Sequence, residues 1–256
     1  MIEKINIDKF EYLIGNSYDK NKETILFIHG ASINAFFWRH QIESLSKNFN
    51  TIAINLPGRY ENSPVFEKDS IDSYSSHIFE FIEFMNLKDV ILCGLSMGGA
   101  ITLDMLLKAN SNIKAGIIIN SGARLNVREE IYTAMEKNFK NFQKAIIQFG
   151  ISQKTDINDV MKYMEEFSVE KSSTAIKDFD ACKDFDLMGK ISKIELPVLI
   201  FSASEDVATP VKFGEFLKKH IKNSSFIVLE DAAHLSPMEK PWEINQKILE
   251  FITNIN

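Results

Sequence analysis

Cysteine is scarce: this chain of 256 residues has two, Cys93 and Cys182. Neither has the spacing of a metal ligand or a redox motif, so both read as small apolar side chains, Cys93 within a buried strand. No apolar run approaches membrane-spanning length. The opening residues carry Glu3, Lys4, Asp8 and Lys9 where a targeting segment would have a basic stretch and then an apolar one. A cytoplasmic protein with no membrane association is therefore expected. A basic face is missing too: the net charge is −6, acids and bases are interleaved, and clusters such as Lys218-Lys219 are ordinary helix-surface charges, which argues against nucleic acid as a partner. Internal repeats and low-complexity segments are absent. Glycine is sparse at 11 residues, so a chance Gly-x-Ser-x-Gly has a probability on the order of a few per cent.

What is present is a chain long enough for one large domain, or for a core with an inserted subdomain. After an N-terminal alternation (Ile5, Ile7, Phe10, Tyr12, Ile14), short apolar runs recur at Ile25 to Ile28, Thr51 to Leu56, Val90 to Cys93, Ala115 to Ile119, Val198 to Ser202 and Phe226 to Leu229. Helical patterns separate them. Tyr74, Ile78, Phe81, Ile82 and Met85 make one apolar face, and Ile244, Ile248, Leu249, Ile252 and Ile255 make another. This is how a mostly parallel sheet flanked by helices on both faces reads, so the fold class is α/β. The alternation stops between Gly122 and Leu196. There about 70 residues show helical periodicity without a convincing strand. Phe139, Phe142, Ile146 and Phe149 recur at helical spacing, as do Val160, Met161, Met164 and Phe167. The expected organisation is a core of residues 1–121 and 197–256 with a helical cap, 122–196, inserted between its halves. The cap's apolar residues form its own small core and its seam with the main domain, and some face a substrate.

Within this pattern Ser96 occupies Gly94-Leu95-Ser96-Met97-Gly98, directly after the run Val90 to Cys93. Strand before and helix after turn a short pattern into a candidate nucleophile elbow, where glycines two residues either side remove Cβ atoms that would collide as the chain folds back. Gly99 and Ala100 are small as well, which lets the helix start close to the sheet with its first N–H groups near the serine.

A serine hydroxyl is a weak nucleophile and needs a base, and the chain has five histidines to offer. His77 lies in an amphipathic helix, His220 stands near a helix C-terminus beside lysines, and His40 follows Trp38 in a helix; all three read as structural or solvated. His29 braces its own turn. His234 falls in the loop after Phe226 to Leu229, at the sheet edge where open α/β sheets bind ligands, and is the expected base. Its orienting carboxylate is Asp206, after Val198 to Ser202, preferred over Glu205, with Asp231 third because it stands only three residues before His234. Thr209 and Pro210 read as helix-start residues. An acid after Ala115 to Ile119 is ruled out, since Asn120 to Val127 contains none. Backbone donors for an oxyanion are expected at Met97 and at Ala31, the latter in the His29-Gly30 turn after Ile25 to Ile28. Ser32 either contacts substrate or caps that turn.

In the order Ser96, Asp206, His234, with the His29-Gly30 turn, Leu56-Pro57-Gly58, Met97-Gly98-Gly99, Thr209-Pro210 and Glu239-Lys240-Pro241, the chain resembles the α/β-hydrolase superfamily over nearly its whole length. The resemblance implies the α/β-hydrolase fold with an antiparallel first strand and a helical cap. It also implies a Ser-His-Asp mechanism through an acyl-enzyme, with no cofactor and no metal. Serine at 96 argues against dehalogenase or epoxide hydrolase chemistry, whose nucleophile is a carboxylate. The chain is similar to small capped serine esterases: carboxylesterases, pimeloyl-acyl-carrier-protein methyl ester esterases, enol-lactonases and carbon–carbon bond hydrolases. It departs from their Asp-x-Pro-Gly-x-Gly-x-Ser run at Asn55 to Ser63, where asparagine replaces the acid and the second glycine is missing. A small-molecule ester with a short, medium or aromatic acyl group is the expected substrate, for a monomer or homodimer. Acyl transfer or perhydrolysis shares the same intermediate. A receptor that keeps the triad without turnover is the alternative of another class.

Overall fold

A computed structural model describes residues 2–108 and 111–255; Met1, Ala109, Asn110 and Asn256 lie outside the described residues. Eight strands, β1 (Glu3–Ile7), β2 (Phe10–Ile14), β3 (Thr24–Ile28), β4 (Asn50–Ile54), β5 (Val90–Leu95), β6 (Ile113–Ile119), β7 (Val198–Ala203) and β8 (Ser224–Leu229), form one sheet in the order β1-β2-β4-β3-β5-β6-β7-β8. β1 pairs antiparallel with β2 and β2 with β4, and every later pairing is parallel.

The helices are α1 (Arg39–Leu45), α2 (Ile71–Phe84), α3 (Met97–Leu107), α4 (Glu129–Lys137), α5 (Phe139–Gly150), α6 (Ile157–Met161), α7 (Met164–Phe167), α8 (Ser172–Lys183), α9 (Lys212–His220), α10 (Ser236–Glu239) and α11 (Pro241–Ile255). The expected helix around Tyr74 is α2, started by a capping box in which Ser70 and Ser73 exchange side-chain and backbone hydrogen bonds. Among the described residues no helix is long and apolar enough to cross a membrane.

Strand residues point alternately to the two faces, so the sheet divides the apolar interior in two. Leu26 and Ile28 face a cluster built with α2 and α3, while Ile25 and Phe27 face one built with α1 and α11. Cys93 sits in the second cluster, fully buried. α3 is buried on every side from Met97 to Leu106, which explains why it shows no polar face in sequence.

Between β6 and β7 the chain forms α4 to α8 and, among the described residues, no strand. Phe142 packs with Met135, Val169 and Ala175 in a separate small core against which Phe139 and Ile146 lie, whereas Phe149 is 75% exposed. Val160 and Phe167 instead join the main cluster of β3 and α1.

This segment is fastened to the sheet's C-terminal edge by buried polar contacts. Asp178 on α8 and Arg59, in the loop after β4, form an ion pair with side chains 0% and 2% exposed. The same carboxylate accepts the Ser32 N–H at 2.8 Å and the Tyr74 hydroxyl at 3.3 Å. Arg59 Nε donates to the Ile33 carbonyl at 2.7 Å. Removing one partner of a buried pair strands the other charge, which costs about 3–5 kcal/mol. Asp178→Ala is therefore expected to lower unfolding stability by that amount in urea titration, and a loss under about 1 kcal/mol would show that the pair behaves like an exposed one.

Candidate active site

β5 ends at Leu95 and α3 begins at Met97, so a single residue makes the turn. That residue, Ser96, has φ 54° and ψ −115°, a conformation costing a side-chain-bearing residue on the order of 1–3 kcal/mol. It persists because its surroundings leave no alternative. Its N–H donates to the Ile119 carbonyl at 3.0 Å, and its carbonyl accepts the Ser121 hydroxyl at 2.7 Å and the Ala100 N–H at 3.0 Å. A Cβ on Gly94 would stand 2.1 Å from the Gly98 carbonyl oxygen, and one on Gly98 would stand 2.1 Å from that of Ile28. Only glycine permits so close an approach of strand, turn and helix.

The turn after β3 lies alongside. A Cβ on Gly30 would come 3.5 Å from the Cβ of Ser96, which places the Gly30-Ala31 backbone against the serine. His29 is fully buried; its Nε2 accepts the Leu56 N–H at 3.1 Å and its Nδ1 lies 2.8 Å from the Gly30 carbonyl. Burial, with Arg59 nearby, lowers its pKa well below the usual imidazole value, so it is a neutral Nδ1–H brace for the turn. Ser32, also at positive φ (64°), gives its N–H to Asp178 and its carbonyl to the Val169 N–H at 3.2 Å, so its backbone joins the turn to the α7–α8 segment.

Asp206 and His234 meet across the loops after β7 and β8. His234 Nδ1 lies 2.8 Å from Asp206 Oδ2. The carboxylate side chain is 0% exposed and the imidazole 18%. Thr209, expected to start a helix, instead donates its hydroxyl to Oδ2 at 2.7 Å, while Oδ1 accepts the N–H groups of Ala208 and Thr209 at 2.8 and 2.9 Å. Burial by itself pushes the Asp206 carboxyl up, but the His234 charge and these donors outweigh it and hold it below the usual carboxylate range. For His234 burial opposes the proton, and the Asp206 charge and hydrogen bond, with a smaller contribution from Glu239, raise the pKa above 6.5. Glu205 is exposed. Asp231 turns away to pair with Lys154 at 2.6 Å.

Asn120, the first residue past β6, stands where the sequence offers no acid, and its role shows only in the fold. Its backbone N–H donates to Phe201 at 3.0 Å. Its amide nitrogen faces the carbonyls of Ala233 and His234 at 3.1 and 3.0 Å and the Ser236 hydroxyl at 2.9 Å. A carboxylate in that place would oppose two carbonyl oxygens. Asn55 has a comparable explanation: its oxygen accepts the Ala35 N–H at 2.7 Å and its nitrogen donates to Glu11 at 2.6 Å, so the family's acid would face a second carboxylate. An amide beside a strand end or a buried acid is the signal that marks both positions.

A mostly parallel eight-stranded sheet of this order, with a serine turn between β5 and a buried helix, is the architecture of an alpha/beta hydrolase. The chain belongs to the alpha/beta hydrolase family, whose model matches residues 25–244. It is similar to 3-oxoadipate enol-lactonase 1 of Acinetobacter baylyi, at 24% identity covering 92% of this chain and 91% of that protein. It is also similar to a pimeloyl-[acyl-carrier protein] methyl ester esterase of Wigglesworthia glossinidia brevipalpis, at 26% identity over 91% and 94% of the two chains. Among solved structures, a lipase-esterase related protein from Clostridium acetobutylicum superposes with a TM-score of 0.81 at 25% identity, covering 95% of this chain and 99% of that one.

The Asp206–His234 geometry has a direct test. Asp206→Asn removes the opposing charge and leaves the burial, so the His234 pKa, above 6.5 in the wild type, should fall below it when followed by two-dimensional 1H–15N NMR; an unchanged titration would mean that another group sets the imidazole's protonation.

Proposed function

We propose that this protein is a serine hydrolase of carboxylic esters, with Ser96 as nucleophile, His234 as general base and Asp206 as the carboxylate that orients it. The observation that carries this reading is the strained Ser96 turn at the same sheet edge as a carboxylate-held imidazole. Nδ1 of His234 is occupied by Asp206, which leaves Nε2 to take the serine proton. The serine oxygen adds to the ester carbonyl, and the oxyanion is received by the N–H groups of Met97, at the first position of α3, and Ala31. Collapse of this intermediate expels the alcohol, protonated by His234. Water, deprotonated by the same imidazole, then releases the acid and restores the serine. The net reaction is ester plus water to acid plus alcohol.

Residues 122–196 serve as the cap in this scheme, and their Phe and Met side chains favour a small to medium acyl group, aliphatic or aromatic, over a sugar or nucleotide. The names of the similar proteins, an enol-lactonase and a methyl ester esterase, both describe cleavage of an ester bond, cyclic in one and open in the other. Both substrate shapes fit the proposed chemistry, since a lactone differs only in that its leaving alcohol stays attached to the acid. A cytoplasmic monomer or homodimer acting on a diffusible ester completes the reading.

Turnover of p-nitrophenyl acetate, butyrate and longer esters, with a lactone series beside them, tests the proposal. Ser96→Ala is expected to reduce kcat/KM by roughly 10⁴-fold or more and to abolish fluorophosphonate labelling. A mutant that keeps near-wild-type turnover would exclude Ser96 as nucleophile. A wild-type protein that neither labels nor turns over, yet gains thermal stability from an ester, would favour a receptor.

A further inference from the structure

The sequence after the histidine, His234-Leu235-Ser236-Pro237-Met238-Glu239, ends in an acid that the proposed reaction does not use. Glu239 is the last residue of α10 and is half-buried. One of its oxygens, Oε1, accepts the N–H of Ala233, the residue before His234, at 2.8 Å. The other, Oε2, accepts the Ser152 N–H and the Thr155 hydroxyl, both at 2.7 Å. Ser152 and Thr155 belong to the turn between α5 and α6, outside the sheet. The same turn reaches the histidine loop twice more: Leu235 N–H donates to the Gly150 carbonyl at 2.7 Å, and Lys154 pairs with Asp231 at 2.6 Å. A Cβ on Gly150 would come 3.0 Å from Leu235 Cγ, so the two segments are in close contact.

These links differ in strength. The Lys154–Asp231 pair, with side chains 66% and 46% exposed, is solvated and screened and contributes little. Glu239 gathers three donors on one charged group, and charge-assisted bonds are roughly twice as strong as neutral ones. Among the described residues it is also the one side chain that joins the backbone next to His234 to both Ser152 and Thr155.

We propose that Glu239 is a positioning residue, whose carboxylate fastens the His234 loop to the turn at Gly150 to Thr155 so that the inserted helical segment, and not the sheet alone, holds the imidazole in register with Ser96. The proposal rests on the reading of Ser96 and His234 as nucleophile and base. Glu239 acts through backbone and never touches the ester. Its bridge and its charge are separable. The charged groups that act on His234 are Asp206, from the loop after β7, and Glu239, from α10; Lys154 and Asp231 offset each other at the rim, and Lys240 follows Glu239 in the chain. The base works only when unprotonated, and the Glu239 charge raises the imidazole pKa, so losing that charge lowers the pKa and moves the acid limb of kcat/KM to lower pH. A shorter carboxylate keeps the charge and breaks the bridge.

The test uses the full-length protein, p-nitrophenyl butyrate, and active sites counted by end-point fluorophosphonate labelling of Ser96. Glu239→Gln and Glu239→Asp should each lower kcat per labelled site about 10- to 100-fold, with KM within about threefold of wild type. The acid limb should move down in Glu239→Gln and stay in place in Glu239→Asp. Thr155→Val, which removes one bond of the bridge and keeps the charge, should lose a smaller part of kcat without moving the limb. Wild-type kcat per labelled site in both Glu239 variants, whatever their melting temperatures, would overturn the proposal. Should neither variant fold, wild-type kcat in Thr155→Val would overturn it. Full activity in Ser96→Ala would instead defeat the reading of Ser96, and the proposal with it.

Discussion

The constraint on which the site depends lies at the C-terminal end of β6, where three consecutive residues hold both halves of the proposed chemistry. Ile119 accepts the Ser96 N–H, Ser121 donates to the Ser96 carbonyl, and Asn120 between them donates to the His234 loop. Parallel strands make this possible. Their C-terminal ends emerge at one edge, so turns far apart in sequence meet there without a long loop. Each turn has to be sharp. Ser32, Ser96, Asn120 and Asp231, which follow β3, β5, β6 and β8, all have positive φ. Positive φ also occurs at Asp8, Asn86 and Asp89 away from this edge, but Ser96, with no loop to relax into between strand and helix, is held there by its scaffold.

Much of this was legible in sequence, for physical reasons that differ by element. The buried parallel strands announce themselves as short apolar runs because both faces are covered. The serine turn announces itself because its glycines are demanded by approaches of 2.1 Å to neighbouring backbone. Pairing of Asp206 with His234 followed from their positions after strands, and the two side chains lie 2.8 Å apart. What escaped were partners chosen by three-dimensional proximity. Nothing in the local pattern says that Thr209 turns its hydroxyl onto Asp206, or that Asn120 turns its amide onto the His234 loop. The Arg59–Asp178 pair, 119 positions apart, is invisible to any periodicity.

The irregular run at Asn55 to Ser63 illustrates how a departure from a family pattern can be absorbed. Glu11 on β2 is 4% exposed; Lys4 pairs with one of its oxygens at 3.1 Å, and Asn55 donates to the other while still receiving the Ala35 N–H. Arg59 goes inward to Asp178, and the Tyr60 hydroxyl donates to the Lys9 carbonyl at 2.8 Å. These contacts tie the loop to β2, to the turn after β3 and to α8. Buried networks of this kind tolerate such a departure only when every member finds a partner.

The conformation of Ser96 sets stability against chemistry at one residue. At φ 54° a glycine would sit without penalty, so the chain holds its proposed nucleophile in the position where a residue with no side chain fits best. Selection for thermal stability alone would therefore favour loss of the hydroxyl, so under the proposed mechanism stability and reactivity pull in opposite directions at this position. On the proposed reading, the hydroxyl at this position is kept for its chemistry and not for the fold.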